Sequence, residues 1–310
     1  MDNMKRDSRI LVTGHRGLVG SALVRALNAQ GFTNILTWTR EEVDLCDPLR
    51  VWDAFMAHDP EYVFHCAAKV GGIVGNRDHP LEFLLDNLHM TLNVLGNCSR
   101  NTTKVLFFGS ACAYPKFALV PVKETSLLTG EMESSNLNYA LAKIVGIKLC
   151  QAYSGRVPCR FLSAMPTNLY GLGDNYHPTD SHVIPGMIRR FHTAKTTNAP
   201  EVVLWGSGTP LRDFLFSDDL AEAAILLMKN HDDPDPVNIA SGHAVSLRVL
   251  AANIASVVGY SGDIRWDTSK PDGTPDRTMD VTKLKSIIPW VPRTPLFHGL
   301  ARAYHDFCHR

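Results

Sequence analysis

The stretch "RILVTGHRGLVG" (9–20) constrains the fold of this chain more than any other. A short apolar run ends at Thr13. Gly14, Gly17 and Gly20 follow at once in a GxxGxxG spacing, and a segment of helical periodicity lies behind them. A strand that turns directly into a helix needs residues without Cβ, because the backbone must fold back tightly and approach its neighbours closely. The same turn aims the free N–H groups of the first helical turn outward, where they can hold a diphosphate. The pattern predicts a nucleotide-binding strand–turn–helix, with a plain tight turn as the bland alternative.

The first half of the chain repeats this alternation. "NILTW" (34–38), "YVFHCAA" (62–68), "KVLFFGS" (104–110) and "CRFLSAM" (159–165) read as buried strands. Helical segments are expected at 18–30, from Pro48 to about Ala57, around 80–99 and at 136–153. Asp47-Pro48 has the residue types of an N-cap followed by the first helical position. Strands alternating with helices predict an α/β fold, a Rossmann-type parallel sheet with helices on both faces. Beyond Pro166, "PTNLYGLGDNYHPTDSHVIPG" is so rich in Gly, Pro, Asn and His that it reads as irregular. Later helices are expected at 184–194, 218–229, 247–258 and 295–309. The expected division is a dinucleotide-binding domain over 1–166, to which later segments return, and a smaller substrate-binding lobe made mainly of 167–310.

Composition narrows the function classes. Lys+Arg and Asp+Glu number 31 each, so no general electrostatic footprint for nucleic acid or an anionic membrane exists, and any anion site is local. No apolar run approaches the roughly 18 residues of a membrane span, and "MDNMKRDSR" carries no apolar leader. Seven cysteines without a CxxC pair read as reduced thiols, and the His and Cys residues show no zinc-ligand spacing, so no metal is expected. The chain reads as cytoplasmic, with no nucleic-acid or membrane partner.

Three features carry chemistry. In "NYALAK", Tyr139 and Lys143 lie four apart, hence on one helix face. A phenol with a pKa of about 10 is a poor proton carrier near neutrality until an ammonium stabilises its phenolate. Lys143 can do so while holding a nicotinamide ribose, and Ser110, at a strand end, can give a carbonyl its second hydrogen bond. YxxxK alone is common on amphipathic helices; the glycine loop and the strand-end serine give it meaning. Arg16 inside the loop and Arg40 after the second strand stand near the place where NAD-binding chains put an acid. Two guanidiniums suit the 2′-phosphate of NADP(H), with solvated surface arginines as the alternative.

With these residues in place, the chain resembles the extended short-chain dehydrogenase/reductase superfamily from residue 9 nearly to its end. Within it, "AAKVGGI" (67–73), "GSACAYP" (109–115), "MPTNLYG" (165–171) and "DNYHPTDSHVIP" (174–185), in that order, are similar to the GDP-L-fucose synthases. The resemblance implies NADPH-dependent conversion of GDP-4-keto-6-deoxy-D-mannose to GDP-L-fucose, by epimerisation at two ring carbons and then reduction of the ketone. It also implies a homodimer built on the 80–99 and 136–153 helices. Cys112 and His182 become base and acid on opposite faces of the sugar, with roles that could exchange, and His177 is the local rival of His182. The implied dinucleotide contacts extend from Gly14, Arg16, Gly17 and Gly20 to Leu18, Val19, Arg40, Asp44, Leu45, Ala67, Ala68 and Val70. They continue through Tyr139, Lys143, Pro166, Asn168, Leu169 and His182. Ser110, Asn168, Arg190, Trp205, Arg212 and Lys270 fall to the substrate. Trp38, Ala111 and Asp276 stand where the family usually has a basic residue, a hydroxyl residue and a positive residue. Rival readings are a simple nucleotide-4-ketosugar reductase or epimerase with an inert Cys112, and a non-catalytic NADP-binding sensor or scaffold.

Overall fold

Alternating side chains along the central strands divide the core into two layers. The computed structural model describes residues 4–270 and 272–310; Met1, Asp2, Asn3 and Pro271, the last within "SKPDG", lie outside the described residues. The strands are β1 (Ile10–Thr13), β2 (Ile35–Leu36), β3 (Tyr62–His65), β4 (Lys104–Phe108), β5 (Arg160–Pro166) and β6 (Asn168–Tyr170). They continue as β7 (Glu201–Trp205), β8 (Leu211–Phe216), β9 (Val237–Ile239), β10 (Ala244–Ser246) and β11 (Asp263–Asp267). The helices are α1 (Leu18–Ala29), α2 (Pro48–His58), α3 (Ile73–Asp78), α4 (Pro80–Asn101) and α5 (Leu137–Tyr153). They continue as α6 (Val183–Thr196), α7 (Ser217–Asn230), α8 (Leu247–Val258), α9 (Thr282–Ile287) and α10 (Leu296–Cys308).

A six-stranded parallel sheet runs in the order β2-β1-β3-β4-β5-β9. Ile10, Val12, Phe64, Leu106 and Leu162 pack on one face with Leu23 and Leu27 of α1 and Leu220 and Ala224 of α7. Leu11, Val63, Val105, Phe107 and Phe161 pack on the other with Phe55 of α2, Val94 and Leu95 of α4 and Ile147 of α5. Asp47 caps α2, its carboxylate accepting from the Leu49 and Arg50 amides, with Pro48 as the first helical residue. Lys104 is almost fully buried, yet its Nζ donates to the Met228 and His231 carbonyls at 3.0 and 3.2 Å and pairs with Asp232 at 2.6 Å. A cation at the C-terminal end of α7 is favourably placed there and ties that helix to β4.

The later chain adds a three-stranded sheet, β10-β8-β6, and a two-stranded one, β11-β7. Ile188 and Phe191 of α6, Leu250 and Ile254 of α8 and Leu300 of α10 form a third core with them. Asn168–Tyr170, expected to be irregular, is instead a strand that pairs in parallel with Phe214–Phe216. Its partner is distant in sequence, and composition of the local segment carries no trace of it. The second strand is shorter than its apolar run, and the short helices α3 and α9 join the expected ones. Among the described residues, no helix is long and apolar enough to cross a membrane.

Candidate active site

The glycine loop closes against the end of β3. Gly14 has φ +66°, and a Cβ there would stand 2.7 Å from the Ala67 Cα. A Cβ on Gly20 would run into the Gly14 carbonyl. Gly17 precedes α1 with no side-chain cap, and no acidic residue stands in the first turn, where Leu18 and Val19 begin the helix. The amide N–H groups of that turn therefore face no competing carboxylate from their own helix. Behind the loop, the Ala67 amide donates to Thr13 Oγ1 at 3.2 Å, and that hydroxyl meets His65 Nδ1 at 2.8 Å. Burial, reinforced by Lys143, lowers the His65 pKa to about 3. A neutral imidazole can accept the Thr13 hydroxyl proton, which fixes Ala67 and the adjoining Ala68 beside the glycines.

The two arginines frame one exposed patch. Arg16 approaches Glu41 at 4.0 Å and Arg40 approaches Asp44 at 3.6 Å. Glu41 is held below the usual carboxylate range by its own backbone amide and Thr39, with smaller contributions from Arg16 and Arg40. Trp38 packs edge-on against Phe55, and the Leu45 carbonyl accepts from Asn93. Val70 is exposed, just beyond Lys69, whose backbone amide and carbonyl are both bonded by Asn87.

The reactive corner forms where β4 meets α5. Ser110 opens a single 3₁₀ turn over Ala111–Ala113, and the Cys112 amide donates to its Oγ at 3.2 Å. From α5, Lys143 Nζ donates to the Phe108 carbonyl at 2.8 Å. It also stands 4.9 Å from the Phe107 ring centre and 5.7 Å from that of Tyr139. Gly146 has no Cβ to strike the Phe107 ring, which lets α5 come this close to the sheet. Burial lowers the Lys143 ammonium to about 8, with Cys66 opposing. The half-buried Tyr139 phenol is pushed well above its ordinary value by burial and then by Cys112, while the Ser110 hydroxyl acts in the opposite sense. Two local pairs, Ser110 with Cys112 and Tyr139 with Lys143, thus share one corner although roughly 30 residues of chain separate them.

The remaining residues come from the later strands and helices. His182 is the residue before α6. One side is open to solvent, but the atoms crowding its ring lower its pKa, against the charge of Asp180. His177 is exposed and engaged locally with Thr179. Asn168 Nδ2 and Thr167 Oγ1 both donate to the Asp213 carbonyl at 3.0 Å, Pro166 pairs with Ile239, and Leu169 packs in the first core layer. The Trp205 ring is 61% exposed and flanked by two cations, Arg190 at 5.9 Å and Lys270 at 6.0 Å from its centre. Arg212 is held by the Leu211 and Thr274 carbonyls, both at 2.7 Å. Burial lowers its pKa, and so does neighbouring Arg277.

Sequence reasoning passed over Arg277. Its Nη1 donates to the Ala111 carbonyl at 3.2 Å, in the turn that carries Cys112. The signal lay in "TPDRT", one residue beyond Asp276, but its partner is 166 positions away.

Residues 10–240 match the NAD dependent epimerase/dehydratase family. GDP-L-fucose synthase 1 of Arabidopsis thaliana is 48% identical over 300 residues, spanning 96% of this chain and 93% of the plant protein. The GDP-L-fucose synthase of Escherichia coli (strain K12) is 44% identical over 309 residues, spanning 96% of each. The crystal structure of a GDP-L-fucose synthetase from Naegleria fowleri bound to NADP is similar at a TM-score of 0.90 and 29% identity, over 98% of this chain and 95% of that one. Similarity of this order runs through the parallel sheet and the later strands and helices alike, and the chain belongs to the GDP-L-fucose synthases, within the NAD dependent epimerase/dehydratase family.

Proposed function

We propose that this chain converts GDP-4-keto-6-deoxy-D-mannose to GDP-L-fucose with NADPH, inverting the two carbons that flank the ketone, carbons 3 and 5, before reducing the ketone at carbon 4. The observation that carries this reading is Cys112, in the same turn as Ser110 and near enough to Tyr139 to help raise its phenol. A plain ketone reductase needs the serine, tyrosine and lysine; a thiol in the same corner adds a base for C–H chemistry.

The residues fit the dinucleotide. The Cβ-free loop, the uncapped start of α1 and the Arg16–Arg40 patch provide backbone donors for a diphosphate and guanidiniums for a 2′-phosphate. When bound, NADPH supplies the hydride. In this reading 1–166 and the segments returning to its sheet hold the dinucleotide, while 167–310 mainly hold the sugar nucleotide. Trp205 with Arg190 and Lys270, and Arg212 with Arg277, offer cations for the substrate diphosphate.

Protons on the carbons adjoining a carbonyl are acidified, because their removal gives an enolate. Ser110 and Tyr139 would hold the developing enolate oxygen. Cys112, as thiolate, takes the proton from one face, and His182 returns one to the other. After both centres invert, the ketone carbon receives hydride and Tyr139 gives the oxygen its proton, with Lys143 stabilising the phenolate left behind. Cys112 and His182 can exchange roles between the two carbons.

Homodimerisation and a cytoplasmic setting complete the reading. The dimer is supported by the apolar side chains that α4 and α5 expose, Leu85 and Leu92 on one and Leu137, Leu141 and Val145 on the other.

The test is the reaction of GDP-4-keto-6-deoxy-D-mannose with NADPH in deuterated water, with the product read by NMR. GDP-L-fucose deuterated at both epimerised carbons is expected. A reduced sugar free of solvent deuterium would sink the epimerase half and leave Cys112 as packing.

A further inference from the structure

The end of the β3–α3 connection and the first turn of α3 supply three glycines, Gly71, Gly72 and Gly75, that close round one carboxylate from a distant loop. The Gly72 amide donates to Asp180 Oδ1 at 2.7 Å, a short charge-assisted bond. A Cβ on Gly71 would stand 2.7 and 2.8 Å from the two carboxylate oxygens, and one on Gly75 would stand 2.6 Å from Oδ1. None of the three has a positive φ, so the backbone there would accept alanine. A Cβ at Gly71 or Gly75 would take the space that the Asp180 carboxylate fills and push it from its seat, whereas one at Gly72 would crowd the Ser181 carbonyl at 3.2 Å.

The seat is braced from behind. Asn76 is only 8% exposed, and its Nδ2 donates to the Gly71 and Gly72 carbonyls at 3.2 and 3.0 Å. On the other side, the Asp180 carbonyl accepts from Asn175 Nδ2 at 3.0 Å, which folds the 174–182 loop over its own carboxylate-bearing residue. Two residues beyond Asp180 comes His182, the entry to α6. The same glycine segment leads back through Val70 to Ala67, which adjoins Gly14. A single carboxylate thus joins the dinucleotide side of the molecule to the histidine of the later loop.

We propose that Asp180 is the positioning residue for His182: its carboxylate, seated among Gly71, Gly72 and Gly75, fixes where the imidazole stands over the sugar. This rests on the proton-transfer role of His182 proposed above. A misplacement of a reacting group by about an ångström can cost up to about 100-fold in rate, so the clamp matters for chemistry without touching substrate.

The test follows deuterium uptake into GDP-4-keto-6-deoxy-D-mannose in deuterated water without NADPH, together with hydrogen exchange of the 174–182 amides. Asp180→Ala is expected to slow uptake about 10–100-fold, to speed amide exchange in the loop, and to leave NADPH affinity within about twofold. Asp180→Asn should restore most of the rate, because its amide oxygen can accept the same Gly72 proton. Gly75→Ala should reproduce the loss from the opposite side, and it carries the test should Asp180→Ala not fold. In a His182→Gln background, Asp180→Ala should cost nothing further; an equal additional loss would mean that Asp180 acts elsewhere and overturns the proposal. Unchanged amide exchange in both single variants overturns the clamp alone, whatever the activity. An unaltered protein that takes up no deuterium overturns the clamp's catalytic role and the functional reading together.

Discussion

Lys143 stands 5.7 Å from the centre of the Tyr139 ring, but in this structure its Nζ spends a proton on the Phe108 carbonyl, at 2.8 Å. The phenolate stabilisation proposed for this pair would need Nζ to turn from that carbonyl, and burial works against both charged forms. The stability consequence has a definite sign. Lys143 titrates at about 8 when folded and at about 10.4 when unfolded. Between those values the unfolded chain holds more protons, so stability rises with pH there. The melting temperature of the unaltered protein, relative to Lys143→Met, should climb from about pH 8 to pH 10 and run parallel below pH 7. Scanning fluorimetry of the two proteins across that range checks it; a relative fall above pH 8 would contradict a depressed lysine.

Cys112 and Ser110 share one turn but should fail differently when altered. Cys112→Ser removes a base, so solvent deuterium uptake should fall about 10²–10⁴-fold. Reduction of a ketosugar that already has the product configuration should stay within about tenfold of normal. Ser110→Ala removes a hydrogen bond to the carbonyl oxygen in both steps, and both should fall about 10²–10³-fold. NMR of the exchange reaction and absorbance of NADPH consumption separate the two patterns.

Residues whose partners lie nearby in sequence were legible. The glycine loop, the Asp47-Pro48 cap and the Tyr139–Lys143 pair are fixed by spacings of a few residues, and the structure forms each of them. What stayed hidden depends on partners supplied by the fold. Asn168–Tyr170 reads as loop until Phe214–Phe216 provides its hydrogen bonds. Asp180 looks like a polar loop residue until three glycines more than a hundred positions earlier make its seat. Arg277 is legible only as a charge, because its Ala111 partner belongs to another turn. Local chemistry can be read from a string, whereas the second partner of a long-range pair cannot.

Arg16 and Arg40 should set cofactor choice. Both influence Glu41, so a 2′-phosphate arriving at this patch would meet two guanidiniums and displace weak, exposed ion pairs. Arg16→Ala and Arg40→Ala should each raise the KM for NADPH about tenfold, the scale of one charge-assisted bond, and leave the KM for NADH within about twofold. Raising the salt concentration should weaken NADPH binding in the unaltered protein more than in either variant. Steady-state kinetics with both cofactors decide it, and equal losses for NADH would show that the arginines shape the loop instead.

Leu137, Leu141 and Val145 recur every four residues along α5, so they form one stripe, and each is 39% exposed. Leu85 and Leu92 are exposed on α4, the helix packed beside it. Leaving such a surface in water is unfavourable at about 25 cal/mol per Å² of apolar area, and a second copy of the same two helices would cover it by twofold symmetry. Light scattering should therefore give twice the 34.3 kDa chain mass. Leu141→Asp places a charge in the stripe that each partner must desolvate, and it should return the mass of a single chain. Tyr139 and Lys143 lie on the same helix as that stripe. The variant should therefore also lose melting temperature and turnover together, as α5 loses its support, whereas Leu49→Asp, at an exposed leucine on α2, should leave mass and rate unchanged.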